Sequence, residues 1–421
     1  MGKEHKIKRY GFENQYKRRQ KIKKIVVTLA AVAAACFAGW FLYEPVYQFV
    51  VNFELPDLLP TPVTSQSESS SLQQSSSQVT PGTGQEQSDF IPMADTMAYV
   101  PVYLLKDAAT MEANFSKLKA QGIEGVVFEL KAPGGQVMYQ SSLESVANTR
   151  AQVEGAYDLS AAVAAAQKVG LVPVGRISAF LDSTATLVMY DAAVKYMDSN
   201  VNWIDNSKAA GGKTWLNPNS RDAQNYILDL VGEAADKGLH SVILDNVQFP
   251  EGYSLQLATY GVTGELDKSS ILADFITRAK ELSKDSNFEI WLGMDLKAAA
   301  GTEAVRFGND PGKVIAAAER CVLSVMPEQF GAGVATDSLT LSNPALTPYE
   351  TVKASLEAAN NALGDDLQLV AMIQAYTSTT LPQGSNMPYG KEEMEQQVKA
   401  ANEAGIEKIY YYNPGGTYEL S

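Results

Sequence analysis

The chain has only two histidines, His5 and His240, and only two cysteines, Cys36 and Cys321. So little histidine excludes a histidine-rich zinc site. A Ser-His-Asp triad would have to use His240, which precedes a strand-like run and so falls at the wrong end of the barrel inferred below. Cys321 stands alone beyond residue 90, so no disulfide forms within that region. Nucleotide phosphate loops are absent too, and VPVYLLKDAAT, where a doubly wound sheet would carry its phosphate turn, has no glycine. These absences leave carboxylate chemistry, with no cofactor and no metal expected.

Charge is spread very unevenly. Met1–Lys24 holds ten Lys or Arg against two Glu, a balance of +8, and the remainder carries −22 within a net charge of −14. The next stretch, Ile25–Tyr43 (IVVTLAAVAAACFAGWFLY), has no charge over about 19 residues, enough to span a hydrocarbon core of roughly 30 Å. It reads as a transmembrane helix, with the basic tail (residues 1–24) cytoplasmic and Trp40 and Tyr43 at the outer interface. The expected location is therefore the cell membrane, single-pass, with the bulk of the protein extracellular. A cleaved signal peptide is the rival reading, given the small residues Ala33 to Ala38 and the Cys36 that follows three alanines. Disulfide-free export suits a Gram-positive bacterial surface. Residues 44–89 are dominated by Ser, Gln and Thr in TPVTSQSESSSLQQSSSQVTPGTGQEQSD and form a flexible tether.

From residue 90 to 421, short runs rich in Val, Ile, Tyr and Leu alternate with segments of helical period, as in a parallel sheet with covering helices. Eight runs are present: Ala98–Tyr103, Gly125–Lys131, Leu171–Ile177, Ser241–Asn246, Glu289–Asp295, Val322–Met326, Leu367–Ile373 and Lys408–Tyr412. The helices between them are expected at 110–121, 159–169, 221–237, 268–282, 312–320, 348–363 and 391–404. Gly122, Gly170, Gly238 and Gly405 serve as C-terminal stops. The fold class is therefore α/β, a (β/α)8 barrel of the TIM type, with a doubly wound open sheet as the alternative. No eighth helix is expected after the last strand. Ser178–Asn219 is a long connection of the kind that shapes a cleft.

The organising stretch is GLHSVILDNVQFPEGY, residues 238–253, in which an apolar run ends abruptly in Asp245. A strand that delivers a carboxylate and then breaks is how a barrel presents a reacting group. If the strands hold, their carboxyl ends gather Glu129, Lys131, Arg176, Asp245, Asp295, Glu328, Gln374 and Asn413 at one mouth. Glycoside hydrolysis needs such a kit: one carboxyl group as acid, a second as nucleophile or base, and polar groups to hold sugar hydroxyls. Each residue also has a structural reading. Asp245 could cap the following turn or pair with Arg176; Asp295 could face Lys131; Glu129 and Lys131, both inward by strand alternation, could form a buried ion pair. Glu328 could be a solvated loop residue, and Arg176 suits orienting a carboxylate rather than reacting. Trp203 and Trp215 are candidate sugar-stacking platforms, whereas Trp291, inside a strand, suits the core.

The segments KAPGGQVMYQS, GRISAFLD, TWLNPNSRDAQNYILDLVGEAADKG and ILDNVQFP together resemble the putative glycosyl hydrolase domain family of bacterial exported proteins. The resemblance covers nearly all of residues 90–421 and implies a (β/α)8 barrel acting on glycans. The family's strand-four motif, Asp-Tyr-x-Arg-Phe-Pro, is matched at Asp245, Phe249 and Pro250, while Asn246 and Gln248 depart from it. Departures also follow Asp295, where LKAAAG replaces a Phe-Gly turn, and the sixth strand, where Met326, Pro327 and Glu328 replace Tyr-Pro.

Two functions follow as expectations. The first is a membrane-anchored extracellular glycoside hydrolase acting on a polysaccharide or cell-wall glycan. In it Asp245 is nucleophile or base, and Asp295 or Glu328 is the acid. Glu129, Lys131, Arg176, Asn246, Gln248, Trp203, Trp215, Gln374 and Asn413 hold the substrate. The second is a catalytically inactive carbohydrate-binding barrel on the same scaffold. Nucleic acid is not an expected partner for a domain so acidic.

Overall fold

A computed structural model of the chain describes residues 92–262, 264–282, 288–296, 310–335, 339–363 and 367–420. The expected membrane helix at 25–43, the tether and the KAAAG that follows Leu296 lie outside these residues. Among the described residues, no helix is long and apolar enough to cross a membrane.

Eight parallel strands carry the architecture: β1 (Thr96–Val100), β2 (Gly125–Lys131), β3 (Val172–Ser178), β4 (Ser241–Asp245), β5 (Glu289–Asp295), β6 (Arg320–Ser324), β7 (Gln368–Gln374) and β8 (Lys408–Tyr412). Each pairs with the next. The ring closes because β1 pairs on one side with β8, Thr96 opposite Ile409, and on the other with β2, Met97 opposite Gly125. The result is a closed (β/α)8 barrel rather than an open sheet, and closure leaves no ring strand with an unpaired edge.

Among the described residues, the helices that cover the ring are α1 (Ala108–Ala120), α2 (Leu159–Lys168), α3 (Arg221–Asp236), α4 (Lys268–Leu282), α5 (Pro311–Ala318), α6 (Pro348–Leu363) and α7 (Lys391–Glu403). Their starts are written in short polar side chains. Asp107, Asp158, Ser220 and Asp310 each accept a hydrogen bond from the backbone N–H three residues on, satisfying a donor that the helix leaves unpaired. Gly238 stops α3 at a φ of 91°, a left-handed turn that lets the chain drop directly into β4.

Alternation along the strands separates two cores. Outward residues such as Phe128, Leu130, Val242, Leu244 and Ile373 pack under the helices. Inward residues Met97, Val127, Val174, Ile243, Trp291, Val322, Val370 and Tyr410 fill the ring. On β5 the inward positions read Glu289, Trp291, Gly293 and Asp295 from the amino end upward. Glu289 is buried and takes up Trp291 Nε1, Met93 N and the Arg320 guanidinium at 3.0, 3.1 and 3.3 Å, so the amino end of the barrel is sealed.

Two features depart from the sequence reading. Short strands Val137–Tyr139 and Gln152–Tyr157, with the helix Glu144–Thr149 between them, extend the sheet beyond the end of β2. The register of β2 against β3 also shifts between Glu129 and Lys131. One extra residue, Leu130, therefore breaks the inward-outward alternation at the end of the strand that carries two candidate site residues.

Candidate active site

The carboxyl ends of β3, β4, β5 and β6 open onto a cavity of about 290 Å³, reached by Arg176, Asp245, Asn246, Gln248, Asp295 and Ser324 among others. Asp245 and Asp295 thus line the same space from adjacent strands. Leu244 stands opposite Leu292, so Asp245 is level with Gly293 and Asp295 lies two residues further toward the mouth. Strand spacing of about 4.8 Å and a rise of about 3.3 Å per residue put their Cα atoms roughly 8 Å apart. The alignment explains Gly293: a Cβ there would overlap Asp245 Oδ1 and lie 2.9 Å from its Cγ. Glycine at this position makes the room in which the Asp245 carboxylate lies.

Arg176 fixes that carboxylate. Its Nε donates to Asp245 Oδ2 at 2.7 Å, its NH2 donates to the same oxygen, and its NH1 reaches Glu129 Oε2 at 3.1 Å. One guanidinium therefore bridges two carboxylates, and the Tyr412 ring lies 5.8 Å from it. Burial opposes the charge on Arg176, but Asp245 and Glu129 outweigh it and hold the guanidinium protonated. Burial also pushes the Glu129 carboxyl up to about 7, with Asp245 adding to the rise and Arg176 opposing it. Glu129 Oε1 is buried with no hydrogen-bond partner, as suits a carboxyl group that resists ionisation.

Lys131 belongs elsewhere. The Leu130 bulge turns it away from the mouth, where strand alternation would have put it. Its ammonium donates to Ser178 O at 2.6 Å and Ala179 O at 3.1 Å and pairs with Asp182 Oδ2 at 2.9 Å, both side chains fully buried. The buried Glu129–Lys131 pair considered above is thus replaced by two separate ones, Glu129–Arg176 and Lys131–Asp182.

The other candidates divide in the same way. Asn246 sits in the left-handed region at φ 52°, bonds Ser178 Oγ at 3.0 Å and lines the cavity. Glu328 lies in the one-turn helix Pro327–Phe330 and faces the β7 loop, accepting from Thr380 Oγ1 while its N–H bonds Gln374 Oε1 at 2.9 Å. Its neighbour Gln329 lines the cavity instead. Gln374 is wholly buried and tied to Tyr376 O and α7, and Asn413 bonds Ala375 O, Thr417 O and Gly415 N, so both side chains brace turns. Trp203 is 0% exposed, which corrects its reading as an open stacking platform, whereas Trp215, 3% exposed, lines a groove beside the mouth. Each packs in the long connection with its indole N–H bonded, to Ser254 O and Asp205 Oδ2 respectively. Gly293, Ser324, Gln329 and Tyr410 are lining residues that sequence reasoning missed. The inward parity of β5, β6 and β8 marks Gly293, Ser324 and Tyr410; nothing local marks Gln329. Among the described residues no cluster of His, Cys, Asp and Glu could hold a metal ion.

Fold and site together define a (β/α)8 barrel with a carboxylate-lined cavity at the end where such barrels react. Residues 97–418 match the family described as "Putative glycosyl hydrolase domain", and the chain belongs to that family. No match is found among curated proteins. Among solved structures, the chain is similar to the PgaB (BpsB) glycoside hydrolase domain from Bordetella bronchiseptica, with a TM-score of 0.54, 11% identity, and coverage of 76% of this chain and 94% of that one. The catalytic domain of β-amylase from Paenibacillus polymyxa gives 0.47, 12%, 78% and 96%. A hypothetical protein from Ruminiclostridium thermocellum ATCC 27405 gives 0.39, 21%, 44% and 91%. At these identities the first of them supports the fold.

Proposed function

We propose that the barrel hydrolyses a glycan, with Asp245 as the base and Asp295 as the acid. The observation that carries this reading is that both carboxylates line one cavity at the carboxyl end of the ring. Arg176 aims the Asp245 carboxylate, and Asn246 and Gln248 supply polar contacts for sugar hydroxyls. Side chains of equal length reaching in from Cα atoms about 8 Å apart favour the wider carboxyl separation, about 6.5–9.5 Å, that admits a water for inversion. Incubating the full-length protein with a panel of cell-wall and plant polysaccharides, and measuring new reducing ends, tests it. Asp245→Asn and Asp295→Asn should each lower the rate by about 10²–10⁴-fold, and the first-formed anomer, read by NMR, should be inverted.

A second reading, glycan binding without cleavage, is favoured by the double hold of Arg176 on Asp245 Oδ2, which partly neutralises the proposed base. Retention of a polysaccharide with no new reducing ends, equal in wild type and Asp245→Asn, would select it. In either case we place the barrel outside the cell on the Ile25–Tyr43 helix, a reading supported by the uncharged run and the basic tail before it. Protease added to intact cells should then cleave the barrel and spare residues 1–24.

A further inference from the structure

The mouth cavity is not isolated. A second groove of about 510 Å³ adjoins it and shares Leu181, Asn246 and Gln248 with it. Its walls come from two loops, the Asp205–Lys213 turn of the long β3–α3 connection and the Glu251–Gly252 segment after β4. These walls are stitched together. Tyr253 N donates to Asp205 O at 2.7 Å, Lys213 N to Asp205 Oδ1 at 2.7 Å and Trp215 Nε1 to Asp205 Oδ2 at 3.0 Å. Gly252 has a φ of 142°, and any Cβ there would overlap Asp205 O. The long connection thus ends in a groove of fixed shape whose inner end meets the carboxylate cavity at the shared residues Leu181, Asn246 and Gln248.

Gln248 stands at the junction. It is 3% exposed and lines both cavities, yet its amide Nε2 has no hydrogen-bond partner. Buried amide donors are ordinarily paired, and one left unpaired beside two polar cavities is a donor kept for a ligand. The mouth alone is at or below the lower edge of the roughly 300–1,000 Å³ of small-molecule sites, whereas mouth and groove together fall well inside it. We infer that the substrate is a glycan chain rather than a single sugar, running from the mouth across Gln248 into the groove, with Gln248 Nε2 donating to an oxygen of the chain at the crossing. This rests on the glycan reading above and names the form of the substrate.

Length series of chito-, cello- and xylo-oligosaccharides, one to six units long, titrated calorimetrically into the full-length protein, test it. For whichever series binds, affinity should rise at least tenfold between one and three units and then level off. Gln248→Met, which keeps the side chain's length and removes the unpaired amide, should lose that gain while its Tm without ligand stays unchanged or rises. A Tm that falls would show that the amide supports the fold, and would overturn its assignment to a ligand. Affinity independent of length, or a gain with length that survives in Gln248→Met, would overturn the inference while leaving glycan binding intact. Failure of every series and of the polysaccharide panel would remove the glycan reading, and this inference with it.

Discussion

Two ion pairs on the end of β2 invite comparison. Lys131 and Asp182 are both fully buried and paired at 2.9 Å: the ammonium also donates to two backbone carbonyls, and Asp182 Oδ1 takes two backbone N–H groups, from Thr184 and Ala185. Two residues earlier, Glu129 shares Arg176 with Asp245 but keeps one buried oxygen without a partner. Even the glycines correspond, since a Cβ at Gly135 would overlap Asp182 just as one at Gly293 would overlap Asp245. The sealed pair locks the loop after β3 onto the end of β2. Of the second set, Arg176 and Asp245 line the cavity, while Glu129 lies behind them and is not among its lining residues. Buried charge alone does not distinguish a brace from a site; carboxylate and guanidinium groups bordering open space do.

The largest effect should come from breaking the brace. Lys131→Met leaves Asp182 charged and without its partner in a sealed environment, and losing one member of such a pair costs about 3–5 kcal/mol. Urea unfolding of the variant should show a lowered midpoint. A loss below about 1 kcal/mol would mean that Lys131 and Asp182 do not form the closed pair described.

The next test addresses the open set through pH. The Glu129 carboxyl rises from 4.5 to about 7 on folding, so the native state binds the extra proton between those values. For a carboxyl raised on folding, stability is fully present below pH 4.5 and is lost as pH rises through about 7. Glu129→Gln, which mimics the protonated form, should remove this contribution, at most about 3 kcal/mol. Unfolding free energies of wild type and variant should diverge between pH 4.5 and 7 in favour of Gln. Parallel curves would assign the group an ordinary carboxylate and undo the contrast with Asp182.

Much of this was legible in the sequence, and the reasons are physical. Eight apolar runs and seven intervening helices follow from periodicity, because burial on two faces writes parallel strands as continuous apolar stretches. β2, β5, β8, α4 and α6 fall at their expected bounds. Asp245, Asp295, Asn246 and Gln248 reach the cavity because a strand end fixes where the next side chain goes. What escaped was decided by single-residue geometry. The Leu130 bulge carries no sequence signal and moves Lys131 from the mouth to the helix layer. The one-turn helix after β6 exchanges Glu328 for Gln329. Trp203 sits in a connection without period, where an indole able to bond its N–H is as well suited to packing as to a surface.

The smallest effect tests whether the Asp245 geometry is built or incidental. Gly293 has no unusual φ, so conformation does not require glycine there; space does. Alanine would place its Cβ against Asp245 Oδ1 and 3.0 Å from Ile243 Cγ2, and the carboxylate cannot swing aside without breaking its bonds to Arg176. Forcing such a contact costs about 1–3 kcal/mol. Gly293→Ala should therefore lower stability by that amount and reduce glycan turnover or binding together with it. Gly232, in the middle of α3, provides the control, because nothing lies within 4 Å of a Cβ built there. Gly232→Ala should raise stability by about 0.5–1 kcal/mol through helix propensity alone and leave the site untouched. If the two substitutions behaved alike in thermal unfolding, the fit of Asp245 over Gly293 would not be a constraint, and the carboxylate would be free to take positions that Arg176 does not dictate.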